Sequence, residues 1–201
     1  MGEKAKIVRR SRRGIVRRMT ASRAADELMS AADYLKREAS EETRHEDIGG
    51  MVCALAGSTP ALTSISTNVA VCLGTQLRGK AGRPFGPDLQ GRIQYPTPTR
   101  FSYPGCSVVC AVRFDQAHFV DSPVVIIEAL SPLARRTDES EKRDAYFQIP
   151  SLRVYALLEQ DRVGAVVWRR GDQGFGREVY DVGDAMIALP EIAAQLPLAE
   201  A

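Results

Sequence analysis

The chain has 201 residues, 26% of them charged and 44% hydrophobic, which suits one domain with its own core and is a tight fit for two. Its 27 lysines and arginines nearly balance 25 aspartates and glutamates, for a net charge of +2. No apolar run is long enough to cross a bilayer, and no hydrophobic segment follows the first basic residues, so a cytoplasmic protein without a membrane partner is expected.

The charge is unevenly placed. Residues 1–18 carry eight lysines or arginines, among them Arg9, Arg10, Arg12, Arg13, Arg17 and Arg18, against one glutamate. Such an arm attracts phosphate backbones without reading sequence. It equally suits a solubilising tail, or an extension upstream of a later start at Met19 or Met29. Residues 1–28 are expected to be a basic, disordered extension and residues 29–201 the folded domain.

Further along, the alanines and leucines of residues 21–41 predict helix, with Ser30 as the cap of a second helix and Asp33 three residues on as a shortened capping box. A polar patch, SEETRHED, leads to a turn at Gly49-Gly50, and Met51 to Ala56 is a short apolar run. Ile65, Val69, Leu73 and Leu77 recur every four residues and predict a helix over Thr63 to Leu77. Phe85 to Ile93 reads as one strand. The proline-rich YPTPTRFSYPG reads as an exposed connection or edge hairpin.

Val108 to Val112, Pro123 to Leu130 and Leu152 to Leu158 read as successive strands. The second, PVVIIEAL, is continuously apolar until Glu128, as in a strand covered on both faces. The latter half of RRTDESEKRDAYFQI can form a helix, and strand, helix, strand in that order predicts a parallel crossover in an α/β layer. Val163 to Arg169 and Arg177 to Val182 predict an antiparallel hairpin at the sheet edge. The tail after Gly183 reads as a short helix or capped loop. Cys53, Cys72, Cys106 and Cys110 show no metal-ligand spacing and are expected to be reduced.

Few residues suggest chemistry. Glu128, at the end of an apolar run, suits metal or acid–base work unless the strand simply surfaces there. Lys142 follows on the crossover helix with Tyr146 one turn beyond on the same face. Glu46 and Asp47, in RHED, are oxygen donors of the kind magnesium prefers, though a charge run is usually a solvated face. Asp88, after Gly86-Pro87, suits a turn cap as well as a ligand.

The strings SAADYLKREASEETRHEDIGG, PFGPDLQGRI, YPGCSVVC, PVVIIEALSP, EKRDAYFQIPSLRVYALL and YDVGDAMIAL, in this order from about Met29 to the end, resemble the putative restriction endonuclease family of the PD-(D/E)XK nuclease superfamily. The resemblance implies a restriction-endonuclease-like mixed β-sheet flanked by helices, with a C-terminal antiparallel hairpin. It also implies a Mg2+- or Mn2+-dependent centre acting on DNA. Carried over by motif, Glu128, Lys142 and Glu46 are catalytic positions, and Asp88 with Glu128 would hold the ion.

The chain also departs from the family. Where the family has an aspartate after its YP pair, this chain has Gly105. Gly49 and Met51 replace an acidic pair, and Leu62-Thr63 stands where a histidine and an asparagine are usual. These losses predict a retained fold with impaired catalysis. Three functions follow: a metal-dependent DNA endonuclease, a non-catalytic nucleic-acid-binding or interaction module on the same fold, or a domain whose main property is a homodimer interface along the C-terminal hairpin.

Overall fold

Ser30 caps the first described helix, α1 (Ala31–Glu38): its hydroxyl accepts from Asp33 N at 3.1 Å and donates to Asp33 Oδ2 at 2.6 Å. The Ser30 cap is as expected, but the short Asp33 carboxylate meets the Ser30 hydroxyl and not the backbone N–H that a glutamate reaches in a full capping box. The computed structural model describes residues 28–55, 57–94, 98–110, 118–131, 135, 138–182 and 185–201. The arginines of the basic tail lie outside the described residues.

The second helix, α2 (Pro60–Gln76), begins three residues before the expected start at Thr63. Thr59 caps it and Pro60 occupies the first turn, where its missing N–H costs nothing. Val69, Leu73 and Leu77 are fully buried, as the four-residue spacing requires.

They pack on a six-stranded sheet. In chain order its members are β3 (Arg83–Phe85), β6 (Cys106–Val109), β8 (Pro123–Leu130), β9 (Val154–Glu159), β10 (Ala165–Gly171) and β11 (Gly174–Tyr180). Their spatial order is β11-β10-β9-β8-β6-β3. β8 and β9 are parallel and every other pair is antiparallel. The crossover between them contains a π-helical turn, Asp138–Lys142, continuing into α3 (Arg143–Phe147).

β8 is therefore central and covered on both faces. Val125 and Ile127 point to α2. Ile126 and Leu130 point to Tyr146, Tyr155, Leu157 and Trp168 around α3. Side chains alternate along a strand, so Glu128 lies on the α3 face. The α/β layer, the central position of Glu128 and the β10–β11 hairpin at the sheet edge are as expected.

A second sheet was not expected. It contains β1 (His45–Ile48), β2 (Met51–Ala54), β4 (Gln90–Ile93), β5 (Arg100–Ser102) and β7 (Phe119–Val120), in the order β2-β1-β5-β4-β7. Three expectations are thereby corrected. Part of the polar SEETRHED patch is strand β1. The proline-rich segment supplies β5, with Phe101 buried between β1 and β4. Phe85 to Ile93 is two strands in two sheets, separated by a turn in which Leu89 N bonds Gly86 O at 3.3 Å.

Gly49 and Gly50, both at positive φ, make the two-residue turn between β1 and β2. A Cβ on Gly49 would lie 2.8 Å from Pro98 Cγ, so glycine has a structural reason here. The tail after residue 183 also differs: β12 (Met186–Leu189) and β13 (Ala194–Pro197) pair antiparallel around a 3-10 turn. Ile187, Leu189, Leu196 and Leu198 of this segment are buried against the α2 face of the main sheet, which drives the hairpin down onto the core. The four cysteines are free thiols.

Candidate active site

Register decides which residues of the second sheet reach the α3 side. β1 and β5 run antiparallel with Asp47 opposite Phe101. Phe101 stacks on Tyr34 of α1, with ring centroids 4.9 Å apart. Alternation then sends Glu46, Ile48, Arg100 and Ser102 to the other face, toward α3. Asp47, expected as an auxiliary carboxylate beside Glu46, is a turn cap instead: its Oδ1 accepts from Gly50 N at 2.5 Å.

Glu46 is held in place from several sides. Tyr103 N donates to Glu46 Oε1 at 3.3 Å, and the Tyr103 hydroxyl donates to Glu38 Oε1 at 2.7 Å. Glu38 in turn accepts from His45 N at 2.8 Å and contacts His45 Nδ1 at 3.1 Å. His45 therefore anchors β1 to α1, its ring on the face away from the cluster.

Lys142 Nζ is the meeting point of the site. It lies 3.0 Å from Glu46 Oε1, 3.7 Å from Glu128 Oε1 and 3.7 Å from Asp138 Oδ1. The π-helical turn carries both Asp138 and Lys142; such turns recur at functional sites. Glu128 is fixed by two further donors. Gly105 N donates to its Oε2 at 2.8 Å, and the Tyr146 hydroxyl lies 3.1 Å from its Oε1 and 3.0 Å from Ser102 Oγ. Tyrosine has one proton, which goes to the carboxylate, so it accepts from Ser102.

Three carboxylates thus face one ammonium in a buried place. Burial raises the Glu128 carboxyl above its ordinary value despite Lys142 and the Gly105 N–H, and the Glu46 charge raises it further. Asp138 is pushed up to about 7, by burial first and then by the Glu128 charge. Burial favours neutral lysine, yet Glu128, Glu46 and Asp138 outweigh it and hold Lys142 protonated. Lys142 is accordingly a fixed cation able to stabilise negative charge, and not a base.

Gly105 lies beside Glu128, its backbone N–H on that carboxylate and no side chain of its own. Its φ is not in the left-handed region, so other residues could adopt the backbone. Space is the constraint: a Cβ there would stand 3.1 Å from Ser66 Oγ on α2 and 3.2 Å from Ile127 O on β8. Asp88 stands apart, contrary to its expected role as a ligand with Glu128. It lies in the turn between the two sheets, pairs with Arg44 Nη1 at 2.5 Å, and its side chain is 83% exposed. Asp138, which the sequence reading overlooked, is among the carboxylates around Lys142; its DxxxK spacing was the available signal.

The donor set suits a hard divalent cation in kind and in charge, since the carboxylates exceed the ammonium by two charges when all are ionised. Among the described residues no three His, Cys, Asp or Glu side chains form a ligand set for one ion. Magnesium usually takes only one or two carboxylates and keeps its waters, so Glu128 with Glu46 or Asp138 would be sufficient. The adjoining cavity, lined by Glu46, Ile48, Arg100, Ser102, Lys142 and Tyr146 among others, measures about 30 Å3. That admits a water or an ion and excludes a nucleotide.

A mixed sheet with a buried glutamate on its central strand, and a lysine on the crossover beside it, defines a restriction-endonuclease-like fold and a carboxylate–lysine centre. The model of the Uma2 family, described as "Putative restriction endonuclease", matches residues 31–199, and the chain belongs to that family. Two uncharacterized proteins of Synechocystis sp. (strain ATCC 27184 / PCC 6803 / Kazusa) are similar to it. One is 26% identical over 147 residues, 73% of this chain and 76% of that protein. The other is 26% identical over 144 residues, 68% of this chain and 78% of that protein. The crystal structure of a putative nuclease belonging to DUF820 from Anabaena variabilis ATCC 29413 has a similar fold. Its TM-score is 0.71 at 19% identity, covering 86% of this chain and 96% of that one.

Proposed function

We propose that this protein is a metal-dependent DNA endonuclease whose catalysis is weakened by the glycine at position 105. The observation that carries the reading is the convergence of Glu46, Glu128 and Asp138, from three separate elements, on Lys142. Burying three carboxyls and an ammonium together is costly, and apolar residues of similar volume would hold a fold at least as well. Functional demand explains why they are there.

A bound Mg2+ or Mn2+ would polarise the phosphodiester and lower the pKa of a water beside it. Glu128, with Glu46 or Asp138, would hold that ion. Gly105 N–H and the Tyr146 hydroxyl orient the Glu128 carboxylate, and Tyr103 N–H orients Glu46. Lys142 remains protonated and offsets the negative charge that develops as the phosphorus accepts a fifth oxygen. Without an aspartate at position 105 the ion has one oxygen ligand fewer, which lowers both its affinity and the rate.

The test is nicking of supercoiled plasmid in Mg2+ and Mn2+ by the parent and by Glu128→Ala, purified side by side. Weak cleavage that depends on the ion and disappears in Glu128→Ala supports the reading. Cleavage unchanged by that substitution comes from a contaminant and removes it. Gly105 also favours a second reading, a non-catalytic nucleic-acid-binding module on the nuclease fold. That one gains if DNA is bound but never cut in either ion.

A further inference from the structure

The anionic cluster poses a problem for any phosphodiester that approaches it. Glu46, Glu128 and Asp138 outnumber Lys142, and Lys142 is already engaged with all three. A phosphate, itself negative, needs a positive group that is not already engaged.

Arg100 meets that need by position. On β5 it lies two residues before Ser102 and therefore on the same face, the one turned toward α3. Ser102 Oγ is 3.0 Å from the Tyr146 hydroxyl, so this face leads directly to Glu128. Arg100 lines the same small cavity as Glu46 and Lys142, with the apolar Ile48, Ile93 and Ala145 and the carboxylates Asp47 and Glu141 also in its wall. Its register partner on β4 is Ile93, which brings no opposing charge.

Several other arginines near the two sheets are committed. Arg44 pairs with Asp88, Arg92 with Asp121, Arg143 with Asp144, and Arg169 with Glu178 and Glu191. Among the described residues the Arg100 guanidinium makes no hydrogen bond or ion pair, and its charge reaches Asp47, whose carboxyl it lowers against the larger effect of burial. A guanidinium whose N–H groups have no hydrogen-bonded partner is suited to bidentate capture of phosphate oxygens.

We infer that Arg100 is the backbone-phosphate anchor of the site, gripping a non-bridging oxygen of a DNA phosphodiester at the mouth of the cavity between the second sheet and α3. The cavity is too small for a base or sugar, so it takes an oxygen while the strand runs across its opening. Arg100 contributes charge and orientation and reads no sequence. This rests on the phosphodiesterase reading, but it can be tested with no cleavage at all.

The experiment measures binding of the full chain to a fluorescein-labelled DNA duplex by anisotropy, in EDTA, across a salt series. The variants are Arg100→Ala, Arg100→Gln and Arg100→Lys, with Lys36→Ala as a control that removes one exposed charge from α1. Arg100→Ala and Arg100→Gln should weaken binding about tenfold at low salt, the loss of one charged hydrogen-bonded contact. Each should flatten the log K against log salt slope by about 0.9, one phosphate's share. Arg100→Lys should restore the slope and only part of the affinity, and Lys36→Ala should leave both near the parent. Arg100→Gln keeps the stem as far as Cδ and breaks no hydrogen-bonded ion pair, so its melting temperature should stay close to the parent's and separate binding from folding. The inference is overturned if Arg100→Gln binds with the parent's affinity and slope, if Lys36→Ala loses as much as Arg100→Gln, or if the parent binds no DNA at low salt. Should DNA be bound through Arg100 but never cut when Mg2+ or Mn2+ is added, the nuclease reading fails and this one stands.

Discussion

Restoring a carboxylate at position 105 probes the site most directly. In Gly105→Asp the new Cβ would lie 3.1 Å from Ser66 Oγ and 3.2 Å from Ile127 O. Ser66 can rotate away, but the Ile127 carbonyl belongs to the central strand and can give only by a few tenths of an ångström. Overpacking of this kind costs about 1–3 kcal/mol. The new carboxylate also joins Glu128, whose carboxyl burial already raises, so electrostatics adds to the cost in the absence of an ion. At about 2–4 °C per kcal/mol for a chain of this size, the variant should melt about 5 °C below the parent in EDTA. Mg2+ or Mn2+ should recover more of the melting temperature in the variant than in the parent, because binding to the folded state alone adds about 2.7 kcal/mol at a hundredfold excess over Kd. Adding Ser66→Ala removes the nearer clash and should return part of the loss without the ion. Plasmid nicking should rise in Gly105→Asp and vanish in Gly105→Asp with Glu128→Ala. The reasoning is refuted if Gly105→Asp melts with the parent in EDTA and responds to metal no more than the parent does. It is refuted in a second way if the parent already cuts DNA strongly and loses that activity on Glu128→Ala, since Gly105 would then have been compensated.

Lys142→Met should destabilise the protein by about 3–5 kcal/mol in urea titrations near neutral pH, because Glu46, Glu128 and Asp138 lose their shared cation. The loss should begin to shrink as pH falls through about 7, where the Asp138 carboxyl takes up its proton and no longer needs the cation; equal stability at pH 8 would contradict the convergence on Lys142. Glu159 has a carboxyl held below its ordinary value of 4.5 by its hydrogen bond to Arg135, which outweighs burial. A lowered carboxyl contributes stability above its unfolded pKa and loses it as pH falls through its folded pKa. Glu159→Gln should therefore melt lower than the parent at neutral pH, and the gap should close below about pH 4; a gap independent of pH would assign the effect to packing. A chain beginning at Met19 lacks eight of the lysines and arginines and should be as stable as the full chain but bind DNA more weakly at low salt. Identical binding across a salt series would remove the proposed role of the tail.

The sequence by itself determined what local physics controls. Ser30 with Asp33 marks the start of α1, and the four-residue spacing of Val69, Leu73 and Leu77 marks the buried face of α2. The continuous apolar run of β8 announces a strand covered on both sides. Glu128 and Lys142 could be named because an apolar strand ending in a carboxylate, followed by a crossover helix, is a pattern within one short stretch. Tertiary structure decided the rest through pairings between distant segments. Nothing within SEETRHED or the proline-rich stretch around Arg100 says strand; β1 pairs with its neighbour β2 and β5 with β4, and the β1–β5 register that joins the two hairpins spans more than fifty residues. That register alone turns Glu46 toward Lys142 and Asp47 away from it, since a slip of one residue would exchange the two faces. The same long-range placement draws Asp138 in and leaves Asp88 on Arg44. It also sets Ser66 of α2 where a side chain on Gly105 would have to go, a constraint carried by neither segment alone.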